Sequence, residues 1–264
     1  MTWPLASAIT WSERAIALAV LLQTLELWQI RAVYADTGIW RWSTLQAEHR
    51  ALPAPVRGLF ALLLPYRSFL GLLIARFVAA SLLFGFGTAS VLPFLWLSQL
   101  AICVRFRGTF NGGSDAMTLL ILMALSIASF APQHALLQSA CLLYIGVQAS
   151  LSYFVAGIAK LKEADWRRGA ALPSFVLNTP YGAPAWTRAL VSQAQVSALL
   201  SWGVIAFECL FPLSWADPRV CLGFIALGAA FHVANGLVFG LNRFLFAWAA
   251  AYPALFYCSQ WLAR

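Results

Sequence analysis

Apolar residues fall along the chain in long runs separated by short polar connections, and runs of this length predict membrane-spanning helices. Eight candidate spans follow, at 14–33, 68–87, 89–104, 116–130, 135–159, 196–215, 220–239 and 244–262. At roughly 20 residues per span, they nearly exhaust the chain. The fold class expected is all-α: a polytopic transmembrane helical bundle of about eight spans, with interfacial or re-entrant segments. No internal repeat and no linker divides the sequence, so 1–264 reads as one membrane domain with no separate soluble domain.

Three connections are more than turns. The stretch 34–67 mixes Trp40 and Trp42 with Arg41, Arg50, Arg57 and Arg67, and its apolar stretch 59–64 is too short to span. Aromatic anchors among arginines suit an amphipathic segment lying in the membrane interface. The stretch 105–115 reads RFRGTFNGGSD, where Gly112 and Gly113 permit a tight turn and Ser114 or Asp115 can cap the helix that follows. The third, 160–188, is the longest polar stretch of the second half and holds Pro173, Pro180 and Pro184.

Composition agrees with the pattern. Of 264 residues 62% are hydrophobic and 10% charged, with a mean hydropathy of +0.78, too little polar material to cover a water-soluble domain. Nucleic-acid binding, secreted disulfide scaffolds and aqueous globular enzymes are excluded on that ground. Cys103, Cys141, Cys209, Cys221 and Cys258 are scattered through apolar runs without C-x-x-C spacing, so they read as small hydrophobes, and no metal site is expected. Glu13 and Arg14 precede a first apolar run longer than a signal peptide, which is therefore expected to remain as a span.

The net charge of +8 marks topology before it marks a partner, because Lys and Arg gather in cytoplasmic loops. Alternate loops hold Arg31, Arg41, Arg50, Arg57, Arg67, Arg105, Arg107, Lys160, Lys162, Arg167, Arg168, Arg188 and Arg243, against Arg14, Arg219 and Arg264 on the other side. Both termini are then expected to face outward.

Candidate chemistry lies in polar groups inside apolar runs, since each costs a few kcal/mol in hydrocarbon unless it has a partner, a cavity or a function. Glu26, Arg76, Lys160, Glu208 and His232 stand out. Glu26 and Arg76 suit either a salt bridge with each other or a neighbour, or substrate and proton handling. Glu208 lies in FECLFPL, where Pro212 can break the helix beside a cavity. His232 and Asn235 in FHVAN share a helix face and can hold a carbonyl, a quinone oxygen or a water, or bond a neighbouring helix with Gly236 and Gly240 at G-x-x-x-G spacing. In YFVAGIAKLKEADWRRG, Tyr153, Ala156, Gly157 and Lys160 share one face that ends in an amine. An amine short of hydration can act as a base in its neutral form, or Lys160 can snorkel to the headgroups with Lys162.

That same segment resembles the signature of the vitamin K-dependent γ-glutamyl carboxylases and the wider HTTM membrane family, in which an aromatic pair, a small residue, Gly and Lys precede W-x-x-G, here Trp166 to Gly169. The run FHVANGLVFGLNRF is similar to the carboxylase F-H-x-x-N helix, and FNGGSD, with Asn111 to Asp115, to an N-G-G segment of bacterial relatives. The resemblance implies that Lys160 and His232 are catalytic. Lys160 takes the place of the base that deprotonates a reduced naphthoquinone, after which oxygen adds and a glutamate γ-proton is removed. Tyr153, Gly157, Trp166, Asn235 and Glu208 are then candidate substrate contacts, and Lys160 is expected to face a lipid-accessible pocket lined by Tyr153, Trp166 and His232.

The segment from Lys160 to Trp166 is one residue longer than in the animal carboxylase. A chain of 264 residues also leaves no room for that enzyme's large lumenal domain, which implies a small peptide or lipid-soluble substrate. The compact size is similar to a branch that accompanies maturation of secreted peptides in bacteria. A multi-pass protein of the bacterial inner membrane follows, either a quinol-linked enzyme or a non-catalytic maturation, export or immunity factor.

Overall fold

The chain was analysed as a computed structural model that describes residues 3–106, 112–178 and 182–263. Arg107, Asn111, Pro180 and Arg264, singled out by the sequence, lie outside the described residues. Helices dominate throughout: α1 (Leu5–Gln29), α2 (Trp42–Leu45), α3 (Ala54–Leu63), α4 (Tyr66–Phe86), α5 (Leu92–Phe106), α6 (Gly112–Ser129), α7 (Ala135–Lys162), α8 (Ala164–Arg167), α9 (Ala171–Leu177), α10 (Ala185–Val191), α11 (Ala194–Leu210), α12 (Pro218–Phe239), α13 (Asn242–Ala249) and α14 (Tyr252–Leu262). The protein is an all-α polytopic membrane protein.

Seven helices among the described residues are long and apolar enough to cross a membrane. The eighth expected span, 244–262, is instead the two shorter helices α13 and α14. Pro253 explains the break: it has no N–H to give to the carbonyl four residues back, so it is tolerated only in the first turn of a new helix. Pro212 acts similarly after α11, where the chain tightens into the 3-10 turn Phe211–Trp215. The polar stretch after Lys160 carries the short helices α8, α9 and α10 rather than an extended loop.

The fold divides into two units, Glu13–Gln133 and Met1–Ser12 with His134–Arg264. In Glu13–Gln133, the segment expected at the interface contains α3, none of whose residues is buried, with Leu59 and Leu62 exposed. Arg105, which the sequence assigns to a loop, belongs to the last turn of α5 and is buried. Its Nε donates to the Leu64 carbonyl at 3.1 Å, Nη2 to the Tyr34 carbonyl at 3.1 Å and Nη1 to the Trp40 carbonyl. The same guanidinium lies over the Tyr34 ring at 5.1 Å and the Phe69 ring at 5.5 Å. It ties down the backbone of the aromatic connection, so it cannot be counted as a free topogenic charge.

Arg76 on α4 is fully buried. Nε donates to Thr24 Oγ1 at 3.2 Å, Nη1 to Ser98 Oγ at 2.6 Å and to the Leu95 carbonyl at 3.3 Å, and Nη2 to Gln23 Oε1 at 2.6 Å and to Gln99 Oε1. A guanidinium has five N–H donors, and each has an acceptor. Gln23 extends the network by donating to Asp115 Oδ1 at 2.7 Å.

In the other unit α7 is the central helix and packs against α11 and α14. At 28 residues it is about 42 Å long, beyond the roughly 30 Å hydrocarbon thickness, which carries Lys160 and Lys162 to its far end.

Candidate functional site

Gly157 decides how closely α7 and α11 approach. A Cβ placed on it would lie 2.7 Å from the Cys209 backbone N and 2.8 Å from Cys209 Sγ, so only glycine allows the contact. One turn further along α7, Lys160 meets Glu208 on α11. Its Nζ donates to Oε1 at 2.8 Å and to Oε2 at 2.7 Å. The Glu208 side chain is 3% exposed and that of Lys160 21%. Lys160 therefore turns inward to a carboxylate and does not simply snorkel with Lys162.

The chain after Lys162 folds back as a hook. Glu163 is extended and ends α7, after which α8 carries Trp166. Arg167 Nη1 donates to the carbonyls of Leu161 at 2.7 Å and Lys162 at 2.6 Å, supplying a positive cap to orphan carbonyls at the C-terminus of α7. Gly169 has φ +76° and its backbone lies so close to Ala198 that a Cβ would sit 2.5 Å from the Ala198 Cα. Ser197 Oγ donates to the Gly169 carbonyl at 2.6 Å, and Trp202 Nε1 to the Arg167 carbonyl at 3.1 Å. These bonds give the W-x-x-G pattern its physical content: Gly169 lets the hook lie against α11, and the hook holds the Trp166 ring 5.4 Å from Lys160 Nζ, within cation–π range.

Beside this group is a cavity of about 510 Å³ lined by Phe154, Val155, Ile158, Ala159, Lys160, Lys162, Glu163 and Trp166. Phe154 and Val155 are exposed on a spanning helix, so the cavity is apolar at its walls and charged at one end. The expected pocket is corrected in its lining: Trp166 is there, but Tyr153 and His232 are not.

Those two residues form a second polar centre, one that faces rings. Tyr153 Oη lies 2.7 Å from His232 Nε2 and 2.9 Å from Tyr252 Oη. The Tyr153 ring stacks on Phe211 at 4.0 Å, and Phe244 and Trp248 lie against the His232 ring at 6.3 and 5.1 Å. Gly228 leaves room for the hydroxyls, since a Cβ there would be 2.6 Å from Tyr252 Oη. Tyr153 and Lys160, seven residues apart on α7, are separated by about 10 Å along the helix axis. Asn235 is half-buried, and its carbonyl accepts from Leu241 N at 3.3 Å where α12 ends. The structure thus brings Gly157, Lys160, Glu208 and Trp166 together, joins Tyr153 to His232, and leaves Asn235 at a helix end.

Tyr252, Arg167, Ser197 and Trp202 were not singled out from the sequence as site residues. Tyr252 carries a hydroxyl inside an apolar run just before Pro253, which was the available signal. The other three act through backbone carbonyls that only the folded hook brings within reach.

Compared with models of known protein families, the chain matches the HTTM domain over residues 126–261, just over half its length. No curated protein and no solved structure matches it.

Proposed function

The chain belongs to the HTTM domain family, and from that premise we propose a membrane-embedded, quinol-linked enzyme of the carboxylase-like type in which Lys160 is the base. The observation that carries the reading is the placement of an amine, paired to a buried carboxylate, at the charged end of an apolar cavity on a spanning helix. The lining suits a ring-bearing, weakly acidic ligand from the lipid: Trp166, Phe154 and Ile158 offer apolar contact, and Lys160 is the proton acceptor. When bound, a reduced naphthoquinone-type quinone would supply an acidic O–H and the electrons for reaction with oxygen.

The protein's own part is proton handling at Nζ. An ammonium has three N–H donors, and two go to Glu208. In a low-dielectric setting the desolvation cost of an ion pair offsets much of its attraction, so an internal proton shift to amine and carboxylic acid is within reach. The Nζ lone pair then takes the ligand's O–H proton. The pair is left with one positive charge opposite the ligand's new negative charge, and charge is balanced. Water is kept from Glu208 by the close approach at Gly157. We assign the site to the inner membrane of a bacterium, acting on a small peptide or lipid-soluble substrate.

The test is quinol-dependent oxygen consumption by the purified chain supplied with a reduced naphthoquinone. Lys160→Ala is expected to lower the rate at least about 100-fold, the low end for general-base catalysis. Retained activity in that variant removes the proposal. One observation favours a non-catalytic maturation, export or immunity factor for a secreted peptide: the two short contacts to Glu208 hold Lys160 in place as an ammonium. Capture of a peptide precursor that is indifferent to Lys160→Ala, with no quinol turnover, would establish that reading instead.

A further inference from the structure

The Tyr252, Tyr153 and His232 chain has a direction, and hydrogen-bond accounting sets it. The three groups are buried and share two hydrogen bonds, with Tyr153 Oη in the middle. Those are the only partners of Tyr252 Oη and His232 Nε2 among the described residues, and His232 Nδ1 is buried with no partner among them.

For a neutral ring, Tyr153 Oη can accept from both neighbours, which strands its own O–H and the Nδ1 lone pair, and two other arrangements put its proton to use. In the first, Tyr252 O–H donates to Tyr153 Oη and Tyr153 O–H donates to His232 Nε2. The imidazole proton is then on Nδ1, and one buried donor, Nδ1–H, is left over. In the second, Nε2–H donates to Tyr153 and Tyr153 donates to Tyr252. That leaves the Tyr252 O–H without an acceptor and the Nδ1 lone pair without a donor, two orphans instead of one. Buried polar groups are nearly always paired, so the first arrangement is the better satisfied.

We infer that Tyr153, whose O–H donates to Nε2, is a positioning residue that holds His232 as its Nδ1–H tautomer, so that His232 presents a hydrogen-bond donor to an acceptor oxygen and does not present a base. Phe244 and Trp248 lie against the His232 ring, and neither offers an oxygen. A lone N–H in such surroundings takes a small oxygen acceptor, a ligand carbonyl or an ordered water. The inference does not depend on Lys160 being a base, because it concerns a separate hydrogen-bonded group some two turns along α7.

The chain has three histidines, His49, His134 and His232, so 15N-histidine labelling of the full protein, with His49→Gln and His134→Gln to assign the signals, reads the tautomer directly. The wild-type chain is expected to show His232 with a protonated Nδ1 and a bare Nε2. A protonated Nε2 overturns the inference without any variant being needed. Tyr153→Phe keeps the ring but removes the hydroxyl that donates to Nε2, and the Nε2–H form is expected to grow to at least an equal share. An unchanged tautomer ratio in a folded Tyr153→Phe protein overturns the positioning role. For the acceptor, a shift of the Nδ1 resonance on adding menadione identifies a carbonyl ligand, and an exchange peak between Nδ1–H and water identifies water. An Nδ1–H that responds to neither overturns the oxygen-acceptor assignment.

Discussion

Around Arg76, in Glu13–Gln133, five N–H donors meet five acceptors, four side-chain oxygens and one carbonyl, and the cation is wholly buried. Around Lys160, in the other unit, two of three ammonium donors meet one carboxylate, the side chain is partly exposed, and a cavity lies alongside. Both cations sit in helices able to span a membrane, and the same desolvation cost applies to each. What separates them is saturation. A guanidinium with no donor left has no valence for a ligand. The amine keeps one donor and a partner that can take its proton. The contrast is between a saturated cation that packs helices together and one that the proposed function uses as a base.

The largest effect should come from Arg76→Met, which strips the partner from Gln23, Thr24, Ser98 and Gln99 at once. With about 1 to 3 kcal/mol per buried orphan, the loss should be at least about 4 kcal/mol in thermal unfolding in detergent. A variant near wild-type stability would mean that the network does not hold the helices together. Next in size, Glu208→Leu leaves the Lys160 ammonium beside a dry contact and should cost about 3 kcal/mol.

The two regions should then part company. Lys160→Met combined with Glu208→Leu replaces an ion pair by apolar side chains, and stability should return to within about 1 kcal/mol of wild type while quinol turnover stays absent. A double variant as unstable as Glu208→Leu alone would show that the pair is structural in the way Arg76 is. Gly157→Ala should cost about 1 to 3 kcal/mol by overpacking, and should slow turnover as well, because α7 and α11 must separate where Lys160 reaches Glu208. Smallest is Trp166→Leu, worth about 0.5 to 1 kcal/mol as a cation–π contact. It should weaken quinol affinity more than maximal rate, and the reverse pattern would give Trp166 a role in proton transfer.

Much of the fold is legible in the sequence because spanning helices are specified by local apolar content, which needs no knowledge of neighbours. The failure at 244–262 is instructive. Mean hydropathy runs through Pro253 unchanged, but its missing N–H does not, and the run becomes α13 and α14. Arg105 fails differently: at the edge of an apolar run it reads as a loop charge, whereas its partners are backbone carbonyls at 34, 40 and 64. Backbone acceptors leave no trace in residue identity. In the site, Gly157, Lys160 and Trp166 were legible because one motif contains all three. Glu208 was visible as a costly carboxylate, and its pairing with Lys160 was not.

Sequence alone determined that this is a helical membrane protein, which intramembrane polar groups need an explanation, and that the Tyr153 to Gly169 segment is similar to the HTTM signature. Those are properties of hydrophobicity and local spacing. Only tertiary structure decided that Lys160 belongs with Glu208 and Trp166, while Tyr153 belongs with His232 and Tyr252. Partner choice between helices is set by how closely backbones approach. At Gly157 and Gly228 that approach depends on an absent Cβ whose consequence appears only when another helix is there to use the space.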